Sequence, residues 1–176
     1  MSLSTAEAVR DRVRELIELI DPVRDTGVRF RRYRAENGDK FRDAMEKAAA
    51  GALRRFHARV YSSDQNLSVT NMDFAEYELD LEIVVAYPQT NRAGRDGALD
   101  RADVMDADWR EIDYNVGMVG RGNFGGSHDC IPLGCTKDIE EGTGVDFLVI
   151  HARYLYKRAL SQNGGLVSGL GLGLEG

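Results

Sequence analysis

The chain is predicted to fold as one α+β domain, a mostly antiparallel sheet of four to five strands with two main helices packed on it. Three observations predict this. Residues 77–87 alternate without a break, with Tyr77, Leu79, Leu81, Ile83, Val85 and Tyr87 on one face and Glu78, Asp80 and Glu82 on the other, which is the period of a half-buried strand. Two other segments repeat every three and four residues, the period of amphipathic helices: Val9, Val13, Leu16, Ile17 and Ile20, then Leu99, Ala102, Met105, Trp109, Ile112 and Val116. The length of 176 residues, with 43% hydrophobic and 30% charged, suits one packed core and is far from the profile of a disordered chain.

The first helix opens at Ser4, with Glu7 three residues on as its capping-box partner, and Asp21-Pro22 closes it. Its other face, Arg10, Arg12, Arg14, Glu15 and Glu18, reads as solvated. Residues 28–34 follow as an edge strand or extended arm loaded with Arg29, Arg31, Arg32 and Arg34. Asn37-Gly38 turns the chain, and Asp39 caps a short helix presenting Phe41, Ala44, Met45, Ala48 and Ala49, with Gly51 as its stop. Over 52–61, Phe56, Ala58 and Val60 alternate with Arg55, His57 and Arg59 as a half-buried strand. A polar loop over 62–72 leads to the strand at 77–87, which Pro88 ends.

A turn-rich connection over 91–97 precedes the second main helix, with Trp109 anchoring it on the sheet and Asp100, Asp103, Asp106, Asp108, Glu111 and Asp113 on its other face. Residues 117–144 read as a long glycine-rich insertion, irregular through Cys130 and Cys135 with at most a short strand. Residues 145–156, apolar on both faces at their start, make a strand central in the sheet. The domain thus spans 1–162, and 163–176, nearly all Gly, Leu, Ser and Val, form a flexible tail that becomes ordered against a neighbouring subunit.

Charge is unevenly spread. The net value is −6, but residues 1–60 hold 14 basic and 10 acidic groups, 61–116 hold 4 and 13, and 117–176 hold 5 and 6. Either the basic and acidic segments pair within one molecule, or they lie on opposite flanks and make protomers complementary head to tail. Phe30 and Tyr33 interleave the arginines of 29–34, a pattern nucleic acid can use. Overall acidity opposes the phosphate neutralisation that supplies most of such affinity, so a protein partner is expected. The apolar runs fall well short of the roughly 18 residues a membrane-spanning helix needs, and the N-terminus lacks a signal-like apolar region, so a cytoplasmic origin is expected.

Candidate chemistry is sparse. Gly120-Arg121-Gly122-Asn123-Phe124-Gly125 fits a dinucleotide fingerprint poorly and follows a helix instead of joining a strand to one, so no cofactor is expected. His128, Cys130 and Cys135 form a weak metal candidate, His-x-Cys-x4-Cys, where structural zinc usually shows two tight ligand pairs; two reduced thiols are the expectation. Glu78, Asp80 and Glu82 stand about 7 Å apart along one strand face, wide for joint coordination of one ion, and read as a solvated acidic strip. No Gly-x-Ser-x-Gly elbow, Walker loop or His-Glu-x-x-His motif occurs, and no enzymatic activity is expected.

Four stretches carry a resemblance over roughly residues 4–158: Leu53-Arg54-Arg55-Phe56-His57-Ala58-Arg59-Val60, the strand at 77–87, Ala102-Asp103-Val104-Met105-Asp106-Ala107-Asp108-Trp109, and the closing strand at 145–156. In their order the chain resembles the tail terminator or tail-completion proteins of long-tailed bacteriophages, departing from them in the 117–144 insertion and the glycine-leucine tail. The resemblance implies a virion protein assembled in the host cytoplasm, a hexameric ring that caps the tail tube and joins it to the neck. Its partners would be its own copies, the tail tube protein and neck or connector proteins, with DNA passing through the lumen without specific binding and no membrane involved. Arg29, Arg31, Arg32, Arg34, Asp103, Asp106 and Asp108 are then the expected subunit interface, and Glu78, Asp80 and Glu82 face the lumen and repel DNA. The alternatives are another neck component, such as a head-tail connector or stopper, or a small metal- or ligand-binding domain built on 117–135.

Overall fold

A computed structural model describes residues 5–24, 27–34, 40–48, 51–65, 74–89, 95–119 and 130–159. Among them the elements run α1 (Ala6–Glu18), β1 (Arg31–Arg32), α2 (Phe41–Lys47), β2 (Arg55–Gln65), β3 (Phe74–Pro88), α3 (Arg95–Val116), β4 (Cys130–Glu141) and β5 (Val145–Ala159). The strands make one sheet in the order β1-β2-β3-β5-β4, antiparallel apart from the parallel β1–β2 contact. The fold is α+β, with the mostly antiparallel sheet and the two main helices that the residue periods predict.

α1 begins one residue later than its capping pattern suggested. Thr5, with extended backbone, accepts a hydrogen bond from the Ala8 N–H at 3.1 Å, and Ser4 lies outside the described residues. Val9, Val13, Leu16, Ile17 and Ile20 are all buried. They meet Phe56 and Ala58 of β2, Leu79, Leu81 and Ile83 of β3, and Ile150 and Ala152 of β5 in one core that α3 joins through Met105, Ile112 and Val116. Burying each large aliphatic side chain there is worth roughly 1.5–3 kcal/mol. Ala102, placed on the apolar stripe of α3 by its spacing, is exposed instead, and Trp109 is only partly buried against the core.

A second, smaller core lies on the opposite face of the sheet, where α2 places Phe41 and Met45 against Val84, Ala86, Val145, Phe147 and Val149. This explains why the even-numbered positions of β3 change character. They are apolar at Val84 and Ala86, within the α2 core, and charged at Glu78, Asp80 and Glu82, which lie beyond it. α2 has no side-chain N-cap at Lys40, and Ala48 is exposed beyond its last turn; Asn37, Gly38, Asp39 and Ala49 lie outside the described residues.

Two segments differ from expectation. β2 continues through Gln65, with a bulge between Val60 and Ser62, where a polar loop was predicted from residue 62. The stretch expected to be irregular through Cys130 and Cys135 is instead β4, a 12-residue strand paired with β5. It carries its own bulge between Pro132 and Gly134, and Gly134 adopts φ +125, a conformation open to glycine and costly for other residues. The segments 91–94, 120–129 and 160–176, with the first part of the turn expected over 91–97, the fingerprint-like glycines and the tail, lie outside the described residues, and residues 95–97 are the first turn of α3 instead of a connection. β5, between β3 and β4, is interior as its two-faced apolarity predicts. No helix among the described residues is long and apolar enough to cross a membrane.

Candidate assembly interface

The two main helices divide the large core face, α1 lying on β1 and β2 and α3 on β5 and β4. This placement separates the charges of the sequence onto two sides of the molecule. On the first side, Arg29, Arg31 and Arg34 are exposed and Arg32 is half-buried, and of these Arg29 reaches a carboxylate, Asp21 at 3.4 Å. Among the described residues none of these four arginines pairs with an acid of α3, whereas the basic and acidic segments do pair within the molecule at Arg54–Asp108 and Arg59–Glu82.

α1 brings charge of both signs to this side: Arg10, Arg12 and Arg14 stand against Asp11 and Glu15, and Glu18 accepts from the Arg32 N–H at 3.4 Å. Arg14, expected on the solvated face, is buried; it donates to the Ala58 carbonyl at the outer edge of β2 and to Asp11 at 2.9 Å. Arg10 shares the same carboxylate at 3.2 Å. Burial works against the charged form of Asp11, but the hydrogen bonds from Arg10 and Arg14 outweigh it and hold its pKa below the ordinary carboxylate value. Buried nitrogens without hydrogen-bond partners among the described residues occur here at Arg14 Nε, Arg32 Nε and His57 Nδ1. Burial, with Arg14 and Arg59 nearby, pushes the His57 pKa down and keeps its ring neutral.

The opposite side is acidic. Asp103 is exposed, and Asp106 accepts from Lys137 of β4 at 2.9 Å and pairs with Arg110 at 2.7 Å, contacts that lower its pKa. Asp138, Glu140 and Glu141 stand exposed along β4, with Glu140 meeting Arg42 at 2.9 Å. Three large apolar side chains of this edge strand, Ile131, Leu133 and Ile139, are about half exposed, at 49%, 48% and 51%. Among the described residues no strand pairs with the outer edge of β4, while β1 covers the outer edge of β2 at Arg55 and Phe56 alone.

Asp108 does not belong to the acidic surface. It is fully buried, with Arg54 Nε at 2.7 Å from Oδ2, Arg54 Nη2 at 3.0 Å from Oδ1 and the Tyr87 hydroxyl donating to Oδ2 at 2.9 Å. The Tyr87 pKa is raised by its burial and by the adjacent Asp108 charge. The same guanidinium donates to the Val28 carbonyl at 2.7 Å and to the Arg24 carbonyl, and lies 5.7 Å from the centre of the Phe30 ring. Arg54 therefore pins the turn that leads into the basic edge, and it does so from a left-handed backbone at φ 54, which costs about 1–2 kcal/mol for a residue with a Cβ. Sequence reasoning passed over Arg54. The signal was present in α3, where Asp108 falls three residues after Met105 and four before Ile112, on the buried stripe.

The acidic strip on β3 is not a bare one. Glu78 pairs with Arg153 at 3.2 Å, Asp80 with His151 at 3.1 Å, and Glu82, itself buried, with Arg59 at 2.8 Å. Arg153 and Arg59 on the flanking strands pair with Glu78 and Glu82, and His151 hydrogen-bonds Asp80, so a bare solvated strip does not describe Glu82 or the row as a whole. The Tyr61 ring stands edge-on to His151 with centroids 5.0 Å apart.

Cys130 and Cys135 form no disulfide and lie on the core-facing side of β4, opposite Tyr156 and Ala152 of β5. Four residues of strand between those partners amount to about 13 Å, beyond the reach of a disulfide. Burial first, and Asp113 beside it, push the Cys135 thiol up to about 12, so it stays protonated and a poor metal ligand. His128 lies outside the described residues, and among those described no cluster of three or more His, Cys, Asp or Glu is placed to hold a metal ion. No family model matches the chain, and no curated protein matches it.

Proposed function

We propose that the protein is a structural subunit of a closed homo-oligomeric ring, a tail terminator of the kind its sequence resembles, forming a hexamer that caps a tail tube and joins it to the neck. The observation that carries this reading is the segregation of charge onto opposite edges of one sheet. Arg29, Arg31, Arg32 and Arg34 flank β1, and Asp103, Asp106, Asp138, Glu140 and Glu141 flank β4. Faces that complement each other but not themselves associate head to tail, and a head-to-tail contact that closes leaves no interface unfilled. Two mutually repelling like contacts, basic on basic and acidic on acidic, are disfavoured by the same charges. Under this reading the β3 face carrying Glu78 and Asp80 lines the lumen, with Glu82 buried in its pair with Arg59, and offers passing DNA no site to bind.

Solution mass tests the proposal, by light scattering across a range of concentration and salt, with negative-stain imaging of the protein alone and with tail tube protein. Rings of uniform size are expected at low salt, with a shift to smaller species near 1 M salt, where the screening length falls to about 3 Å. A monomer at every concentration, with no ring alongside tube protein, overturns it.

A further inference from the structure

We infer that the chain beyond β5 returns to cover its own sheet edge, with residues 166–174 lying extended against Ile131 and Leu133 at the start of β4. These two side chains are 49% and 48% exposed, and Ile131 stands opposite half-buried Leu155 of β5. Cys130 faces the core shared with α1 and α3, so Ile131, the next residue, points to the other face of the sheet, and neither it nor Leu133 belongs to the small core that α2 makes there. Residues 130–136 carry no charged side chain, whereas Lys137, Asp138, Glu140 and Glu141 follow directly. Pro132 and the bulge before Gly134 interrupt the strand edge here. What this stretch offers a partner is therefore apolar side chains, not a continuous row of main-chain hydrogen bonds.

The segment that fits is on the same chain. Leu166, Leu170, Leu172 and Leu174 fall on even positions and Gly169, Gly171 and Gly173 on odd ones, so an extended chain carries its leucines along one side. No charged residue occurs from Ser161 to Leu174, so neither the arginine edge nor the acidic run of β4 attracts this segment. Distance selects the copy. β5 ends at Ala159, just past Tyr156, which is opposite Cys130 where β4 begins. The outer side of β4 lies within two strand spacings of β5, about 10 Å, and residues 160–165 extend to about 20 Å. In the strand order β1-β2-β3-β5-β4, the tail of a neighbour docked by its arginine edge has to pass β3, β2 and β1 first. The contact within one chain also has the higher effective concentration. Ordering glycine costs more backbone freedom than ordering other residues, and leucine contact with apolar side chains in place of water offsets that cost.

Hydrogen–deuterium exchange of the full chain tests this, at concentrations spanning the onset of any assembly and against a synthetic peptide of residues 160–176. Amides of 166–174 are expected to exchange more slowly in the protein than in the peptide at every concentration. That protection is expected to be lost in Ile131→Asp/Leu133→Asp and equally in Leu170→Asp/Leu172→Asp, with exchange in α1 and β3 as in the parent. The second variant changes no residue of the sheet, so it reads the contact even where the first fails to fold. Tail amides as fast as those of the peptide, or protection that survives either folded double variant, overturn the inference. Protection that appears only as the mass rises places the tail on another copy and overturns it as well, leaving the ring reading standing. A protected tail on a protein that stays monomeric by mass upholds this contact and defeats the ring.

Discussion

At the scale of single residues, the Arg54–Asp108–Tyr87 network sets what substitution can do. The ion pair is sealed from water, so removing one partner strands the other charge in the core. Asp108→Ala is expected to cost about 3–5 kcal/mol in chemical denaturation, and the double change Arg54→Met/Asp108→Leu to recover much of that loss. A single change that costs under about 1 kcal/mol would show the pair to be less buried than described. It follows that lysine substitutions meant to probe an acidic surface on α3 belong at Asp103 and Asp106, since the same change at Asp108 attacks the fold. His57 provides a second handle. The folded state lowers its proton affinity through burial, Arg14 and Arg59, whereas the unfolded chain binds a proton near pH 6.5. Its contribution is therefore complete above about pH 6.5 and is lost as the pH falls below that value. Urea midpoints for the parent are expected to fall between about pH 7.5 and pH 5.5 more steeply than those for His57→Gln, and equal slopes would remove His57 as the cause.

At the scale of elements, local chemistry accounts for how each piece starts and stops. The Thr5 hydroxyl caps α1, and Thr5→Ala is expected to lower stability by about 1 kcal/mol, read from thermal or urea unfolding. The β4–β5 hairpin depends on Gly142, where an added Cβ would fall 2.7 Å from the Val145 carbonyl oxygen and 2.8 Å from the Phe147 ring. Because one of those neighbours is backbone, Gly142→Ala is expected to cost about 1–3 kcal/mol, and a neutral result would mean that the hairpin relaxes freely. α1 was legible along the chain because its burial repeats at the helical period, and β3 because its odd-numbered positions stay apolar from Tyr77 to Tyr87, although both of its faces are buried over 81–87. β4 was not. It is an edge strand with Asp138, Ile139, Glu140 and Glu141 exposed in succession and a bulge that breaks alternation, so no period marks it as a strand. The same reasoning covers 62–65 of β2, which look like a loop because they extend past the core as an exposed edge.

At the scale of the whole molecule, the charge asymmetry of the sequence becomes a geometric property only through strand order. The runs of arginine and of acid were plain from composition, as were the α+β class, the two principal helices and the strand at 77–87, because each follows from neighbours a few residues apart. Side chains on a strand alternate and side chains on a helix recur every three to four residues whatever lies beyond them. Which edge of the sheet received the arginines, that β4 closes the other edge, which partner meets Asp108, and that Arg14 and Glu82 leave the surface while their charged neighbours stay on it were decided by tertiary structure alone. Those outcomes depend on residues brought together from far apart, such as Arg54 with Asp108 and Arg14 with Ala58. Burial of a charge depends on the partner that meets it in space, and spacing along the chain carries no record of that partner.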